Sequence, residues 1–256
     1  MAPGELSGSH CIVIPSYDPG PRVYETVAAA LALWRPVWVV VDGSRDGTGD
    51  GLAALSRNEP GLFVIASPIN RGKGAAVLAG ITAARDRGYS HALCLDSDGQ
   101  HPTESIPAFM RLSQAHPEAM ILGAPVFPSD APRARVYGRR LSNACVRLET
   151  LGGAIADSLF GFRVYPIEPL YAVMRARRTM RRFDFDAEAA VRLHWSGVRA
   201  INVPVPVRYF ARAEGGVSHY RYGRDNLLLA AMHLRLLAGL VARAPRLLRA
   251  SRSSRR

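Results

Sequence analysis

Apolar runs and amphipathic stretches alternate along the first hundred residues of this 256-residue chain. Four short runs are apolar almost throughout, and each ends in polar residues; they are residues 11–15, 37–41, 62–66 and 91–95. The stretches between them place apolar residues at helical spacing, as Val23, Val27 and Leu31 do. Strands that are apolar on both faces and alternate with helices predict a mostly parallel α/β sheet with helices on both sides.

The second half of the chain has a less regular pattern. It predicts a strand over residues 119–124, a basic amphipathic helix over 133–151, a short strand over 160–165 and a helix that begins near residue 183. The run 200–210 contains two prolines, which cannot donate a ladder hydrogen bond. We therefore expect it to be an edge strand at best.

Polar residues follow all four early strands. Tyr17, Asp42, Arg71 and Asp96 each lie just after one of them. Because the carboxyl ends of parallel strands meet at one edge of a sheet, these side chains are expected to line one cleft.

The strongest chemical signal is the sequence Asp96-Ser97-Asp98-Gly99-Gln100. An isolated Asp-x-Asp is most often a solvated turn, but here it ends a buried strand beside other polar strand ends. Two carboxylates with room left for other ligands suit Mg²⁺ or Mn²⁺ shared with a phosphate. His101 could add a ligand, although a hydrogen-bonding role in the turn is the better interpretation.

A second signal is the sequence Asn70-Arg71-Gly72-Lys73-Gly74 at the start of a predicted helix. Its cationic side chains and backbone N–H groups could receive a phosphate, or they could form a solvated turn. The spacing is not that of a Walker A loop, and no dinucleotide-binding fingerprint is present.

The net charge of +12 is concentrated at the C-terminus. No acidic residue follows Asp225, whereas seven arginines do. The apolar stretch 227–242 is interrupted by His233 and Arg235, so we expect an interfacial helix on an anionic membrane surface rather than a membrane span. A helix packed on the domain is the alternative. Nucleic acid is a weaker candidate partner, because no aromatic residues are interleaved with the arginines.

The three cysteines form no Cys-x-x-Cys pair, which is typical of a reduced, cytoplasmic chain. The first ten residues contain no apolar segment of the kind found in signal peptides.

Five motifs in order carry a resemblance to a known family. They are Ile14-Pro15-Ser16-Tyr17, the segment 40–48, Asn70 to Ala75, Asp96 to Pro102, and Gly161-Phe162-Arg163 with the segment before it. This order resembles family 2 glycosyltransferases of GT-A fold, and within them the dolichyl-phosphate mannose synthase and polyprenyl-phosphate glycosyltransferase branch.

The resemblance implies a UDP- or GDP-linked sugar donor, a divalent metal (Mg²⁺ or Mn²⁺) and inversion at the anomeric carbon. Carried over to this chain, it assigns the donor to Pro15, Tyr17, Asp42, Arg71, Lys73, Asp96 and Ser97. It assigns the metal to Asp96, Asp98 and Gln100. It assigns phosphate or acceptor contacts to Arg163, Ser218 and His219.

Three acidic residues, Asp184, Asp186 and Glu188, lie at the start of a predicted helix. They could complement the helix dipole, or one could be a general base if the acceptor is a hydroxyl. Asp186 is the first choice, and Glu188 is expected to face solvent.

These observations together predict one GT-A domain over residues 1–226 and a basic helix with a disordered end over 227–256. The expected function is inverting, metal-dependent sugar transfer to a lipid-linked acceptor, a polyprenyl phosphate or a glycolipid, at the inner face of the membrane. Two alternatives stay open: a nucleotidyltransferase and a non-catalytic sugar-nucleotide-binding protein.

Overall fold

The computed structural model describes residues 6–127, 133–207 and 222–253. Within these residues a seven-stranded sheet is packed between helices. The strands are β1 (His10–Ser16), β2 (Val37–Asp42), β3 (Leu62–Ser67), β4 (His91–Cys94), β5 (Ala119–Val126), β6 (Arg163–Pro166) and β7 (Arg199–Pro206). The helices are α1 (Arg22–Leu33), α2 (Thr48–Ser56), α3 (Lys73–Asp86), α4 (Ile106–Ala115), α5 (Arg133–Glu149), α6 (Ile167–Arg175), α7 (Phe185–Trp195) and α8 (Tyr222–Ser253).

The strand order is β3-β2-β1-β4-β6-β5-β7. Strands β1 to β4 run parallel to one another, β5 and β7 pair in parallel, and β6 runs antiparallel between β4 and β5. The mostly parallel α/β sheet predicted from the sequence is therefore confirmed, and β7 lies at the edge of the sheet as its prolines indicated. The reversal of β6 was not predicted.

The central strands are buried on both faces, which explains their unbroken apolar sequences. Val13 and Val40 belong to the core cluster on the side of α3 and α7. Ile12 and Val39, one residue earlier on each strand, belong to the cluster on the side of α1 and α4. Because successive side chains of a strand point to opposite faces, the middle residues of these strands face apolar cores on both sides, and their polar residues are confined to the strand ends.

Helix α8 packs on the rest of the chain along one face. Met232 and Leu236 are fully buried in the core cluster that contains α7. His233 lies 2.8 Å from the carboxylate of Glu149 on α5. The predicted boundary between residues 226 and 227 falls inside this helix. The buried residues of the helix belong to the same core as the rest of the domain.

The opposite face of α8 is exposed and apolar. Leu227, Leu234 and Val241, spaced seven residues apart, are 73%, 68% and 77% exposed. The segment Gly223–Arg243 is long and apolar enough to cross a membrane by length and composition, a test that packed helices also pass. Length and composition therefore permit a membrane span despite His233 and Arg235, and the interfacial placement stays a prediction.

Candidate active site

The polar strand ends meet at one edge of the sheet. The carboxylate of Asp42, at the end of β2, accepts the N–H of Arg71 at 2.9 Å and that of Gly72 at 2.6 Å. The next residue, Lys73, reaches the carboxylate of Asp96 after β4. Asp42 and Asp96 are therefore linked through three consecutive residues at this edge of the sheet, where the sequence analysis expected a cleft.

The loop after β1 is fixed against the loop after β2. Asp18 accepts the N–H of Arg45 at 2.6 Å, and Ser44 Oγ accepts the N–H of Asp18 at 3.0 Å. Pro15 is buried within β1, and Tyr17 is half-buried at the beginning of this loop. These contacts hold the predicted base-binding segment in place before any ligand arrives.

Lys73 stands at the centre of the edge. Its Nζ lies 2.8 Å from Asp96 Oδ1 and 2.7 Å from Asp186 Oδ2. Burial disfavours the charge on Lys73, but Asp186 and Asp96 outweigh this effect and raise its pKa. Burial likewise disfavours the charge on Asp96, yet Lys73 and then His101 lower its pKa below the ordinary value. Both groups are thus charged at neutral pH.

A close backbone approach brings Lys73 to Asp186. Gly74, the second residue of α3, lies against the segment that precedes α7, where any Cβ would overlap the carbonyl oxygen of Met180 and crowd Phe185. Only glycine permits this contact. The sequence left open whether this glycine-flanked segment receives a phosphate or forms a solvated turn; in the structure Gly74 permits the close packing of α3 against the start of α7.

The donor set beyond β4 fits a hard divalent cation. Asp98 Oδ1 accepts the N–H of Gln100 at 3.0 Å, which fixes the turn. Burial, and then the neighbouring charge of Asp96, raise the pKa of Asp98 to about 6. A carboxylate held in this way gains from a nearby cation, and carboxylate oxygens with open positions suit Mg²⁺ or Mn²⁺.

No preassembled cluster of three His, Cys, Asp or Glu ligands occurs in residues 6–127, 133–207 and 222–253. A divalent ion held by Asp96 and Asp98 would need further oxygens from a ligand or from other residues. The carbonyl of Ser97, between them, accepts the hydroxyl of Thr26 at 3.5 Å. The metal role of Asp96, Asp98 and Gln100 stays a prediction.

His101 holds the turn, as the sequence analysis favoured. Its Nδ1 accepts the N–H of Asp96 at 3.1 Å, and its ring packs edge-on against Phe160 and Phe162. Burial lowers the pKa of His101 to about 4, so the ring is neutral. Since Nδ1 accepts a hydrogen bond, Nε2 carries the proton and points it towards Asp96, 3.5 Å away.

The three acidic residues of α7 have different surroundings. Glu188 is fully buried and forms ion pairs with Arg192 at 2.7 Å and Arg235 at 3.1 Å. The expectation that it faces solvent is wrong, because α8 covers this turn of α7. Asp184 accepts the backbone N–H of Arg182 at 3.0 Å and fixes the helix start. Of the three, Asp186 alone contacts Lys73, which places it on the side of the expected cleft.

Arg163 is fully buried in β6. Its guanidinium donates to the carbonyl oxygen of Asp157 at 2.9 Å, to Tyr165 Oη at 3.1 Å and to the carbonyl oxygen of Asp186. These bonds give it a structural role in joining β6 to α7. The phosphate contact predicted for it is untested. Ser218 and His219, the other two predicted acceptor residues, lie outside the described residues.

A cavity that the sequence analysis missed lies beside this edge. It measures about 260 Å³ and is lined by Arg139 and Arg140 of α5, together with Asn143, Asp157 and Phe127. Arg139 is paired with Asp157 at 2.5 Å. The only advance signal was the basic, amphipathic character of α5. The arginines of α5 reach this edge of the sheet only because of how the helix packs.

The mixed seven-stranded sheet with helices on both sides is a GT-A-like fold. The family model described as glycosyl transferase family 2 matches residues 11–175. The chain therefore belongs to glycosyl transferase family 2 and is a glycosyltransferase. This assignment decides against both alternatives that the sequence left open.

Two curated relatives are similar over most of the chain. The undecaprenyl-phosphate mannosyltransferase of Micrococcus luteus is 28% identical over 174 residues, which is 66% of this chain and 70% of the relative. The polyprenol monophosphomannose synthase of Mycolicibacterium smegmatis is 29% identical over 214 residues, which is 81% of this chain and 79% of the relative.

The fold is also similar to a solved structure of glucosyl-3-phosphoglycerate synthase from Mycobacterium tuberculosis in complex with Mn²⁺ and UDP-glucose. The TM-score is 0.63 at 17% identity, and the match covers 92% of this chain and 78% of that one. This likeness supports the fold.

Proposed function

We propose that this glycosyltransferase moves a sugar from a nucleoside-diphosphate sugar to a polyprenyl phosphate, with a divalent metal and with inversion at the anomeric carbon. The observation that carries the proposal is one edge of the sheet where the Asp96-x-Asp98 carboxylates lie close to an arginine-lined cavity. The names of the two relatives, which specify mannosyl transfer to polyprenyl phosphates, support the acceptor class and favour mannose as the sugar.

The donor is proposed to lie along the carboxyl ends of β1, β2 and β4. Pro15, Tyr17 and Asp42 would contact the base and ribose of a UDP- or GDP-linked sugar, and Arg71 would contact its diphosphate. Asp96, Asp98 and Gln100 would hold Mg²⁺ or Mn²⁺. When bound, this ion stabilises the negative charge that develops on the departing nucleoside diphosphate.

The acceptor phosphate is proposed to enter the cavity lined by Arg139 and Arg140. The segment 157–161 connects this cavity to the metal site: Asp157 pairs with Arg139, while an added Cβ on Gly161 would lie 3.0 Å from Asp96. Two guanidinium groups suit a phosphate, since each can donate paired hydrogen bonds to its oxygens.

A phosphate acceptor already carries a negative charge on its attacking oxygen, so transfer to it needs no strong general base. Asp186, the one α7 carboxylate at the cleft, then orients Lys73 rather than removing a proton. If the acceptor is a glycolipid hydroxyl instead, Asp186 is the group placed to act as the base.

The proposed location is the cytoplasmic face of the membrane, with the protein bound peripherally. The exposed apolar face of α8 supports this placement, and so do the arginines that follow it, because anionic lipid attracts a helix of that composition.

The test begins with thermal unfolding in the presence of Mn²⁺ and a series of nucleoside diphosphates and nucleotide sugars. Nucleotides that carry one particular base are expected to raise the Tm of the protein, and to do so only when Mn²⁺ is present. The matching nucleotide sugar is then offered with a short-chain polyprenyl phosphate or with the corresponding polyprenol. Product from the phosphate alone is expected; equal product from the alcohol would overturn the acceptor assignment and point to a hydroxyl acceptor.

A further inference from the structure

The ammonium group of Lys73 connects two carboxylates that come from different parts of the fold. Asp96 follows β4, Asp186 lies in the first turn of α7, and Lys73 begins α3. The Nζ distances of 2.8 and 2.7 Å are those of charge-assisted hydrogen bonds. The Lys73 side chain is only 12% exposed, so solvent screens these pairs weakly.

The space around this ammonium group is closely fitted. A Cβ added to Gly161 would lie 2.7 Å from Lys73 Nζ and 3.0 Å from Asp96 Oδ2. A side chain at position 161 would therefore require Lys73, Asp96 or the backbone of this segment to shift. The backbone at position 161 packs closely against both Lys73 and Asp96, the first carboxylate of the Asp-x-Asp sequence.

We propose that Lys73 is an internal cation that neutralises Asp96 and Asp186 in the empty enzyme and gives up Asp96 when a divalent ion binds there. The inference rests on the proposed function, because it takes Asp96 and Asp98 as the metal ligands. Lys73 is in this view a positioning residue: it keeps Asp96 and Asp186 in place for the donor complex and competes with the metal for one of them.

The competition follows from charge. An ammonium group and a divalent cation repel each other strongly when they share one carboxylate in a partly buried site. Lys73 can leave Asp96 without leaving the cleft, because its bond to Asp186 is separate. Asp186 Oδ1, buried with no hydrogen-bond partner in the part of the chain that the structure describes, offers a second acceptor for the shifted ammonium group.

The sequence-based expectation assigns a different role to Lys73, namely direct contact with the donor diphosphate. Both roles make transfer depend on the lysine, so loss of activity does not separate them. They differ in the absence of nucleotide: an internal competitor weakens metal binding to the empty protein, whereas a diphosphate ligand leaves it unchanged.

The experiment measures Mn²⁺ binding to the full chain without nucleotide, by electron paramagnetic resonance of free Mn²⁺. The variant K73M is expected to bind Mn²⁺ about tenfold more tightly than the wild type, because the competing charge at contact distance is gone. Its sugar transfer is expected to fall. The matched control is R71M, which removes a positive charge from the exposed residue two positions earlier and is expected to change Mn²⁺ affinity by less than about twofold.

Unchanged or weaker Mn²⁺ binding by folded K73M, or an equal gain in R71M, would overturn the inference. The variant D98N separates this failure from failure of the proposed metal site. If D98N binds Mn²⁺ like the wild type, the metal assignment itself is wrong; if D98N loses Mn²⁺ but K73M gains nothing, only the role of Lys73 is wrong.

Because K73M leaves two carboxylates facing each other, its folding is checked by thermal unfolding with and without Mn²⁺. If it does not fold, D186N provides the second arm. That variant leaves Lys73 with Asp96 as its single carboxylate partner, so Mn²⁺ is expected to bind more weakly than to the wild type. The same affinity in D186N and wild type would contradict the competition.

Discussion

The two halves of the active-site edge are built on different principles. In the half proposed to bind the donor, called the donor half and formed by β1, β2 and β4, the polar residues follow directly after their strands, and Asp96 and Asp98 lie in the loop after β4. In the half proposed to bind the acceptor, called the acceptor half and formed by α5, α7 and α8, several carboxylates are buried between helices and paired. Glu188 on α7, for example, is paired with Arg235 on α8.

This difference shows how function and stability are divided. A carboxylate at a strand end can leave part of its hydrogen-bonding capacity for a ligand, as Asp98 does. A carboxylate buried between helices must be paired, because an isolated buried charge is costly. Asp186 stands between the two groups: it lies in the acceptor half but contacts Lys73 of the donor half.

The largest effect is expected in the donor half, from D98A. Removing this carboxylate should lower metal-dependent transfer about 10³-fold, since metal stabilisation of the leaving group contributes several kcal/mol to catalysis. The free energy of unfolding should change little. Steady-state transfer assays at several Mn²⁺ concentrations, together with urea unfolding, check both statements. Undiminished transfer would remove Asp98 from the metal site.

In the acceptor half, the variant E188Q should show the opposite pattern to D98A, with its main effect on stability. Loss of this charge leaves Arg192 and Arg235 without their buried partner and should lower the free energy of unfolding by about 3 kcal/mol. The matched variant two residues earlier, D186N, should reduce transfer more than it reduces stability. Urea unfolding of both proteins tests the contrast, which fails if the two variants lose equal stability.

The two faces of α8 should also differ. L236A removes a fully buried side chain and should cost about 3 kcal/mol in unfolding free energy. L234E, on the exposed face, should leave stability nearly unchanged but reduce co-sedimentation with vesicles of anionic lipid.

Removing the helix after residue 226 would be a poor test of the membrane face, because the truncation would expose the hydrophobic core that the helix covers. Equal vesicle binding by L234E and wild type would argue against the membrane face.

The smallest effect concerns the amino ends of β1 and β4, where His10 and His91 stack with their ring centroids 4.5 Å apart. Burial, and then His91, lower the pKa of His10 to about 4. The folded state therefore favours the neutral ring, so stability is full above about pH 6.5 and falls as the pH drops towards 4. In H10Q this acid-induced loss should shrink by about 2 kcal/mol, as measured by unfolding at pH 7 and pH 4.5.

The donor half could be predicted from the sequence because its signals are local. Continuous apolar runs ending at Asp42 and Asp96 required a parallel sheet with a common polar edge, and the structure has that edge. The acceptor half could not be predicted in the same way. The sequence marked the basic helix that carries Arg139 and the acidic group that includes Glu188, but the surroundings of both residues depend on how α5 and α8 pack.

The alternation of apolar strands with helices, and the position of an acidic turn after the fourth strand, were determined by the sequence itself. The reasons are local: side-chain periodicity sets the element type, and parallel strands share one carboxyl edge. Only the tertiary structure decided which of Asp184, Asp186 and Glu188 faces the cleft. That choice depends on the approach of α3 to α7 at Gly74 and on the covering of Glu188 by α8, contacts between residues far apart in the chain.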